Sequence, residues 1–291
     1  MKLGTRTLKV TELPAVRSVG EFLDRVTAIK SRWSATTWYR GQSNSAAHKL
    51  LPTIGRAYEY NGRSVQFDRN QEWQLLHRFR RRAFPYVGSV MNEWEAMFLA
   101  RHHSLPTRLL DWTRNPLVAL YFASSANQQL DGDVWSIVRF DDRRHDLDVL
   151  ALARRQVKSH GPIHLYGALR REDQAATRTM DAVKILHPFY NSPRLVSQDG
   201  VFTLHSRPNR PLDSYNKCRF QADRLDIAVL VRVPVTRDAK QRIVRELDVL
   251  GVNRRLVFPD LDGVAGYLWE TETLWRGTKH KSSRSSRLTR P

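Results

Sequence analysis

A single cysteine, Cys218, stands in a chain of 291 residues. That excludes an internal disulfide and, with no ligand spacing around it, a cysteine-built zinc site. No apolar run approaches the roughly 20 residues that a membrane-spanning helix needs. The opening MKLGTRTLKVTELP is charged but has no apolar core segment, so no secretory signal is expected and a reducing, cytoplasmic setting is the default reading. Internal repeats, heptads and a phosphate-cradling P-loop are all missing. Acid is scarce as well: 29 Asp and Glu face 48 Lys and Arg, a net charge of +19. Such an imbalance steers anionic partners toward the chain, nucleic acid first among them.

What is present is enough for a folded protein. Hydrophobic residues make up 41% and there are eight Trp, a composition far from that of disordered chains. Length allows one large core. Val19, Phe22, Leu23, Val26 and Ile29 recur at helical spacing and predict a helix over Ser18–Trp33, with Ser18 and Glu21 at capping-box spacing. Thr36–Arg40 reads as a β-branched and aromatic strand, Gln42–Arg56 as an irregular loop, and Ser64–Arg82 as a helix ending in the basic run Arg78-Phe79-Arg80-Arg81-Arg82. Met91–His102 is a further helix. Asp131-Gly132-Asp133 reads as a turn before a strand over Val134–Phe140, Arg194–His205 as a strand pair or a bent strand around Gly200, and Ile227–Val233 as a buried strand. Asp238–Leu250 and Asp260–Leu274 are helices, and Asp141–Ala175 resists assignment. The tail from residue 276 to 291 has almost no apolar residue and is expected to be an unstructured basic arm. Strands separated by helices predict a single α+β domain over residues 1–275, a split central mixed sheet flanked by helices.

The densest stretch is Arg101–Asn127. Pro106 bars helix at Leu105, and Arg108-Leu109-Leu110-Asp111-Trp112 is short and apolar enough for a buried strand. Asn115-Pro116 then opens an apolar helix, since proline fits a first helical turn. A polar Asp-Trp-Thr where a buried strand meets a buried helix is costly unless its groups are paired, which makes Asp111, Trp112 and Thr113 site candidates. Arg40, at a strand end before Gly41, sets a five-donor fork beside bare backbone, a combination that suits a phosphate.

His-x-Leu-Pro-Thr-Arg-Leu-Leu-Asp-Trp-Thr-x-Asn-Pro, running from His103, resembles the central motif of the FRG domain family. Tyr39-Arg40-Gly41-Gln42 matches the family's name-giving tripeptide, and Leu51–Arg56, Gln198–Thr203 and Leu256–Gly263 match further segments. The order of these motifs is in turn similar to that of ADP-ribosyltransferases. The second resemblance implies that Tyr39, Arg40, Gly41, Gln42 and Arg56 hold NAD and that Asp111-Trp112-Thr113 replaces a nicotinamide-pocket triplet. It places Gln198-Asp199-Gly200 on the catalytic strand, with Gly200 where that superfamily carries its glutamate. Asp111 would then stabilise the developing sugar cation and His102 or His103 would accept a proton. Asp199 is a second substitute for the glutamate, although strand alternation would turn it to the opposite sheet face from Gln198 and Gly200.

The implied activity is NAD-dependent transfer of ADP-ribose to a nucleic acid, compatible with defence or toxicity although no residue specifies either. The alternative is a basic module that grips nucleic acid or nucleotide without turnover. Plain structural roles compete at each position: Asp111 in an ion pair with Arg40, Arg56 or Arg108, Trp112 in the core, the histidines capping a helix. A metal-dependent nuclease would need converging carboxylates, and Asp131, Asp133, Asp141 and Asp142 look like turn residues instead. No metal site is expected.

Overall fold

The structure is a computed structural model that describes residues 5–6, 8–33, 36–47, 50–67, 69–139, 147–148, 183–188, 192–205, 207–217, 220–221 and 229–285. A mixed eight-stranded sheet forms its centre. In spatial order the strands are β2 (Lys9–Glu12), β12 (Val229–Val235), β7 (Gly132–Arg139), β3 (Thr36–Gln42), β6 (Leu109–Thr113), β10 (Gly200–His205), β9 (Val183–His187) and β8 (Leu147–Asp148). The β2–β12 and β8–β9 pairs are parallel and the rest antiparallel. Two small pairs stand apart, β1 (Thr5–Arg6) with β11 (Phe220–Gln221) and β4 (Tyr58–Tyr60) with β5 (Arg63–Val65). The α+β class expected from the sequence is the one observed.

Helices α1 (Val19–Trp33), α2 (Arg69–Val87), α3 (Glu93–His102), α4 (Pro116–Ser124), α5 (Pro193–Ser197), α6 (Lys240–Val249), α7 (Arg254–Val257) and α8 (Leu261–Ser285) complete the fold. Local chemistry explains where several begin. Asn115 Oδ1 accepts the Leu117 N–H at 3.0 Å, with Pro116 in the first turn, so α4 starts where a buried strand ends. Asn92 and Glu95 form a reciprocal capping box on α3. At α1, Ser18 Oγ accepts the Glu21 N–H at 3.2 Å, while Glu21 reaches the Arg17 N–H at 2.8 Å.

One sheet face carries Tyr39, Val134 and Val233 into a core with α1, α4 and α6; the opposite face buries Trp38, Trp112, Trp135, Ile137 and Leu230 together. A third cluster joins α3 to Leu109, Phe202 and Leu204. Burial of these side chains is the main favourable term holding the layers together, about 1.5–3 kcal/mol for each large one.

Several expectations need correction. Arg194–His205 is not a strand pair: Ser192 caps α5 through the Leu195 N–H at 3.2 Å, Pro193 occupies its first turn, and the strand starts at Gly200. Residues 63–65 pair as β5, so the helix expected from Ser64 starts at Arg69. Asp131-Gly132-Asp133 is no turn, because Gly132 and Asp133 open β7. A Cβ on Gly132 would lie 2.4 Å from the Ala123 carbonyl oxygen, so glycine there admits the backbone of α4. The last helix runs to Ser285 rather than stopping near 274, into the segment expected to be structureless. Apart from Leu147–Asp148, the unassigned stretch over residues 141–175, with its arginine pairs at 143–144, 154–155 and 170–171, lies outside the described residues.

Candidate functional site

The sheet nearly separates between β3 and β6. Only Tyr39 and Thr113 are paired there, whereas β3 and β7 pair over seven residues. Continuing the register by two residues would set Gly41 opposite Asp111, but the ladder has ended. The Arg40 side chain takes over: its Nη1 donates to the Asp111 carbonyl at 2.8 Å and lies 3.6 Å from Oδ2 of the same residue. The buried Nε of Arg40 has no acceptor among the described residues. Two strands are forced apart and a guanidinium bridges the gap.

A cavity of about 250 Å³ opens at this split. Tyr39, Arg40, Gly41, Asp111, Trp112 and Thr113 line it from the sheet. Phe98, Arg101, His102 and Ser104 come from α3 and the turn after it, Phe122 from α4, and Arg194, Leu195, Gln198 and Phe202 from α5 and β10. Most of the residues singled out from sequence therefore meet in one place. Three guanidinium groups face one carboxylate in this lining, an excess of two positive charges.

Arg101 grips the carboxylate. Its Nε donates to Asp111 Oδ1 at 2.9 Å and Oδ2 at 3.1 Å, Nη2 bonds Oδ2 as well, and Nη1 donates to Thr53 Oγ1 at 2.8 Å. Burial pushes the Asp111 carboxyl up, but Arg101 and then Arg40 outweigh it and hold the group down at about 2. It is ionised at neutral pH, with its side chain still 39% exposed to the cavity. Arg101 is raised, chiefly by Asp111. Arg40 drops to about 10, because burial and the charges of Arg56 and Arg101 outweigh Asp111. Burial also lowers Arg194, and its guanidinium stacks 4.7 Å over the Phe258 ring.

Other candidates take different roles. Gly41 is glycine because α4 packs onto it: an added Cβ would sit 1.8 Å from the Ala119 carbonyl oxygen, so the space imagined for a phosphate is filled by helix backbone. The Tyr39 ring is fully buried in the core with α4 and supports the cavity from below. Gln42 points away, donating to Asp133 at 3.2 Å. Arg56 donates to the Leu51 carbonyl at 3.3 Å and 3.2 Å and reaches the cavity only through its charge. The hydroxyl of Thr113 is consumed locally, donating to the Gln198 carbonyl and accepting the Asn115 N–H at 2.9 Å. Gln198 lines the cavity while its amide donates to the Val257 carbonyl at 2.9 Å. Trp112 is buried and donates to Thr203 Oγ1 at 3.0 Å. His102 lines the cavity, with its imidazole pKa lowered by burial, His103 and Arg194; His103 is exposed.

Asp199 is not on a strand: it occupies the left-handed turn before β10, with φ 45°, and pairs with Arg114 at 2.9 Å. Arg108 pairs with Glu72 rather than Asp111. The residues that sequence reasoning missed are Arg101, Arg194 and the phenylalanine walls. Arg101 immediately precedes the chosen histidines, and Ser192-Pro193 was a legible helix start that would have carried Arg194 inward. Among the described residues no three His, Cys, Asp or Glu side chains gather as metal ligands, and no helix is long and apolar enough to cross a membrane.

Fold and site together define an α+β domain with an arginine-ringed cavity at a split in its sheet. The family model for the FRG domain matches residues 35–132 of the chain. The match takes in Arg40, Arg101 and Asp111, and leaves Arg194 and Gln198 beyond its end. No curated protein and no solved structure matches the chain.

Proposed function

We propose that the cavity binds NAD by its pyrophosphate and serves transfer of ADP-ribose to a nucleic acid. The observation that carries this reading is the convergence of Arg40, Arg101 and Arg194 on a cavity whose only lining acid among the described residues is Asp111. Planar guanidinium forks match phosphate oxygens two at a time, and an excess of positive charge in a recessed site favours an anion. About 250 Å³ is just below the roughly 300–1,000 Å³ of pockets that enclose a whole ligand. The cavity thus suits a phosphate group with the adjoining sugar and ring, the remainder of the dinucleotide lying along the rim. The partly exposed Phe122 ring supplies the aromatic face that a nicotinamide or adenine ring needs.

In the transfer, the C1′–N bond breaks with its electron pair leaving on nicotinamide, and an oxygen or nitrogen of the acceptor bonds C1′. In this reading the ionised Asp111 carboxylate stabilises the developing cation. His102, held toward its neutral form, is the lining base for the acceptor's proton. Incubating the protein with labelled NAD and either DNA or RNA tests this. Label on the polymer and free nicotinamide are expected from the wild type and not from Arg40→Ala or Asp111→Ala. A second reading, binding without turnover, is favoured by one feature: Arg101 already occupies Asp111 on two oxygens, and Gly200 offers no other carboxylate. Saturable NAD binding with no nicotinamide released would select it.

A further inference from the structure

Helix α2 is built unlike the other helices. It carries Arg69, Arg78, Arg80, Arg81 and Arg82; its single acid, Glu72, is buried in the ion pair with Arg108, and Glu93 of α3 lies beside Arg80. Two rows at four-residue spacing run along its exposed side. One is Trp73, His77, Arg81; the other is Arg78, Arg82, Tyr86. Residues four apart stack up on one helix face, about 6 Å apart along the axis. The Trp73 and His77 rings already lie parallel, 5.1 Å apart at 8°, a flat platform open to solvent. At the other end the Tyr86 ring is 91% exposed. Arg78, Arg81 and Arg82 make no ion pair among the described residues.

On this helix Arg78, Arg81 and Arg82 lie between exposed rings, Trp73 and His77 before them and Tyr86 after them. The combination suits one kind of partner. Guanidinium forks bind backbone phosphates, and flat rings at either end of them stack on unpaired bases. Duplex bases are already stacked on one another and expose only their edges, so they would leave the rings unused. We infer that α2 is a binding face for single-stranded nucleic acid, its phosphates on Arg78, Arg81 and Arg82 and its bases on Trp73 and Tyr86.

The face lies on a different helix from the cavity lining, with α3 packed beside it carrying Arg101 and His102 inward. It names the surface that would hold the nucleic-acid acceptor of the transfer reaction, and only that role rests on the preceding proposal. Binding itself is measured without NAD, so the two can fail separately.

Fluorescence anisotropy of the full chain with a labelled 20-nucleotide single strand, the matching duplex, and vesicles containing anionic phosphatidylserine provides the test. The wild type is expected to prefer the single strand. Replacing Arg78, Arg81 and Arg82 together by Ala should lower the log–log salt slope by about 2, since each phosphate contributes about 0.7 on a single strand. Trp73→Ala with Tyr86→Ala should weaken binding by roughly tenfold or more while leaving that slope unchanged. Both variants should keep the wild-type circular dichroism and NAD affinity, the substituted side chains being exposed and remote from the cavity lining. Equal or tighter duplex binding, no effect of the ring substitutions, or a preference for vesicles over the oligonucleotide would overturn the inference.

Discussion

Two arginine–carboxylate pairs, Arg108 with Glu72 and Arg101 with Asp111, are made of the same groups and do opposite things. In the first, both side chains are sealed, 2% and 3% exposed, with Nη2 to Oε2 at 2.6 Å and the carboxylate also accepting the Arg108 backbone N–H at 3.1 Å. One guanidinium meets one carboxylate there. In the second, one carboxylate serves Arg101 and Arg40, with Arg56 and Arg194 acting on the same field, and it remains open to a cavity. A sealed pair ties α2 to the start of β6. An over-supplied open pair leaves positive charge facing a cavity, the feature on which the proposed anion site rests. The difference teaches that stoichiometry and access, rather than the presence of a buried ion pair, separate a structural contact from a binding site.

The comparison can be broken at each end, and the largest effect belongs to the sealed pair. Glu72→Ala leaves a guanidinium buried without its partner and should cost about 3–5 kcal/mol of unfolding free energy, read by urea denaturation. Molecules that remain folded should bind NAD as before. Next, Asp111→Asn removes the carboxylate charge while keeping its shape. Nicotinamide release should fall by roughly 10² or more. Affinity for the anionic ligand should hold or rise, because the cavity becomes more positive. A binding loss on that substitution would mean that the carboxylate, not the arginines, makes the site.

Arg40→Ala should weaken NAD binding by about 10- to 100-fold, the worth of a charge-assisted hydrogen bond of about 1.5–3 kcal/mol. The smallest effect is in pH. Asp111 sits at about 2, below the ordinary carboxylate range, so the stability it confers is complete above about pH 4 and is lost as pH falls through about 2. The gap in urea midpoint between wild type and Asp111→Asn should therefore stay flat down to about pH 4 and narrow below it. A gap that persists unchanged at pH 2 would show that the charge of Asp111 does not contribute.

Sequence made much of this legible because local chemistry there is strong. Asn115-Pro116 had one structural reading, an apolar helix start, and the helix is there. Arg40, Asp111, Trp112 and Thr113 could be assembled because an arginine and an aspartate on buried strands must find partners, although β3 runs on to Gln42 and Arg40 is not the strand end that Gly41 suggested. Which partner could not be read. Arg101 lies on a different helix from either strand, and only the crossing of α3 over the split sheet brings it to Asp111. Gly41 and Gly132 were misread for a related reason: a glycine signals a close approach but not what approaches, and here it is α4. Arg194 was lost by taking an apolar run for a strand when Ser192-Pro193 marked a helix start.

Calorimetric titration of the intact protein with ADP-ribose, beside Arg40→Ala and Arg194→Ala, bears most directly on the arginine cluster as a phosphate site. The account predicts one saturable site in the wild type and at least tenfold weaker binding in each variant. Absence of saturable binding, or equal affinity in all three proteins, would contradict it.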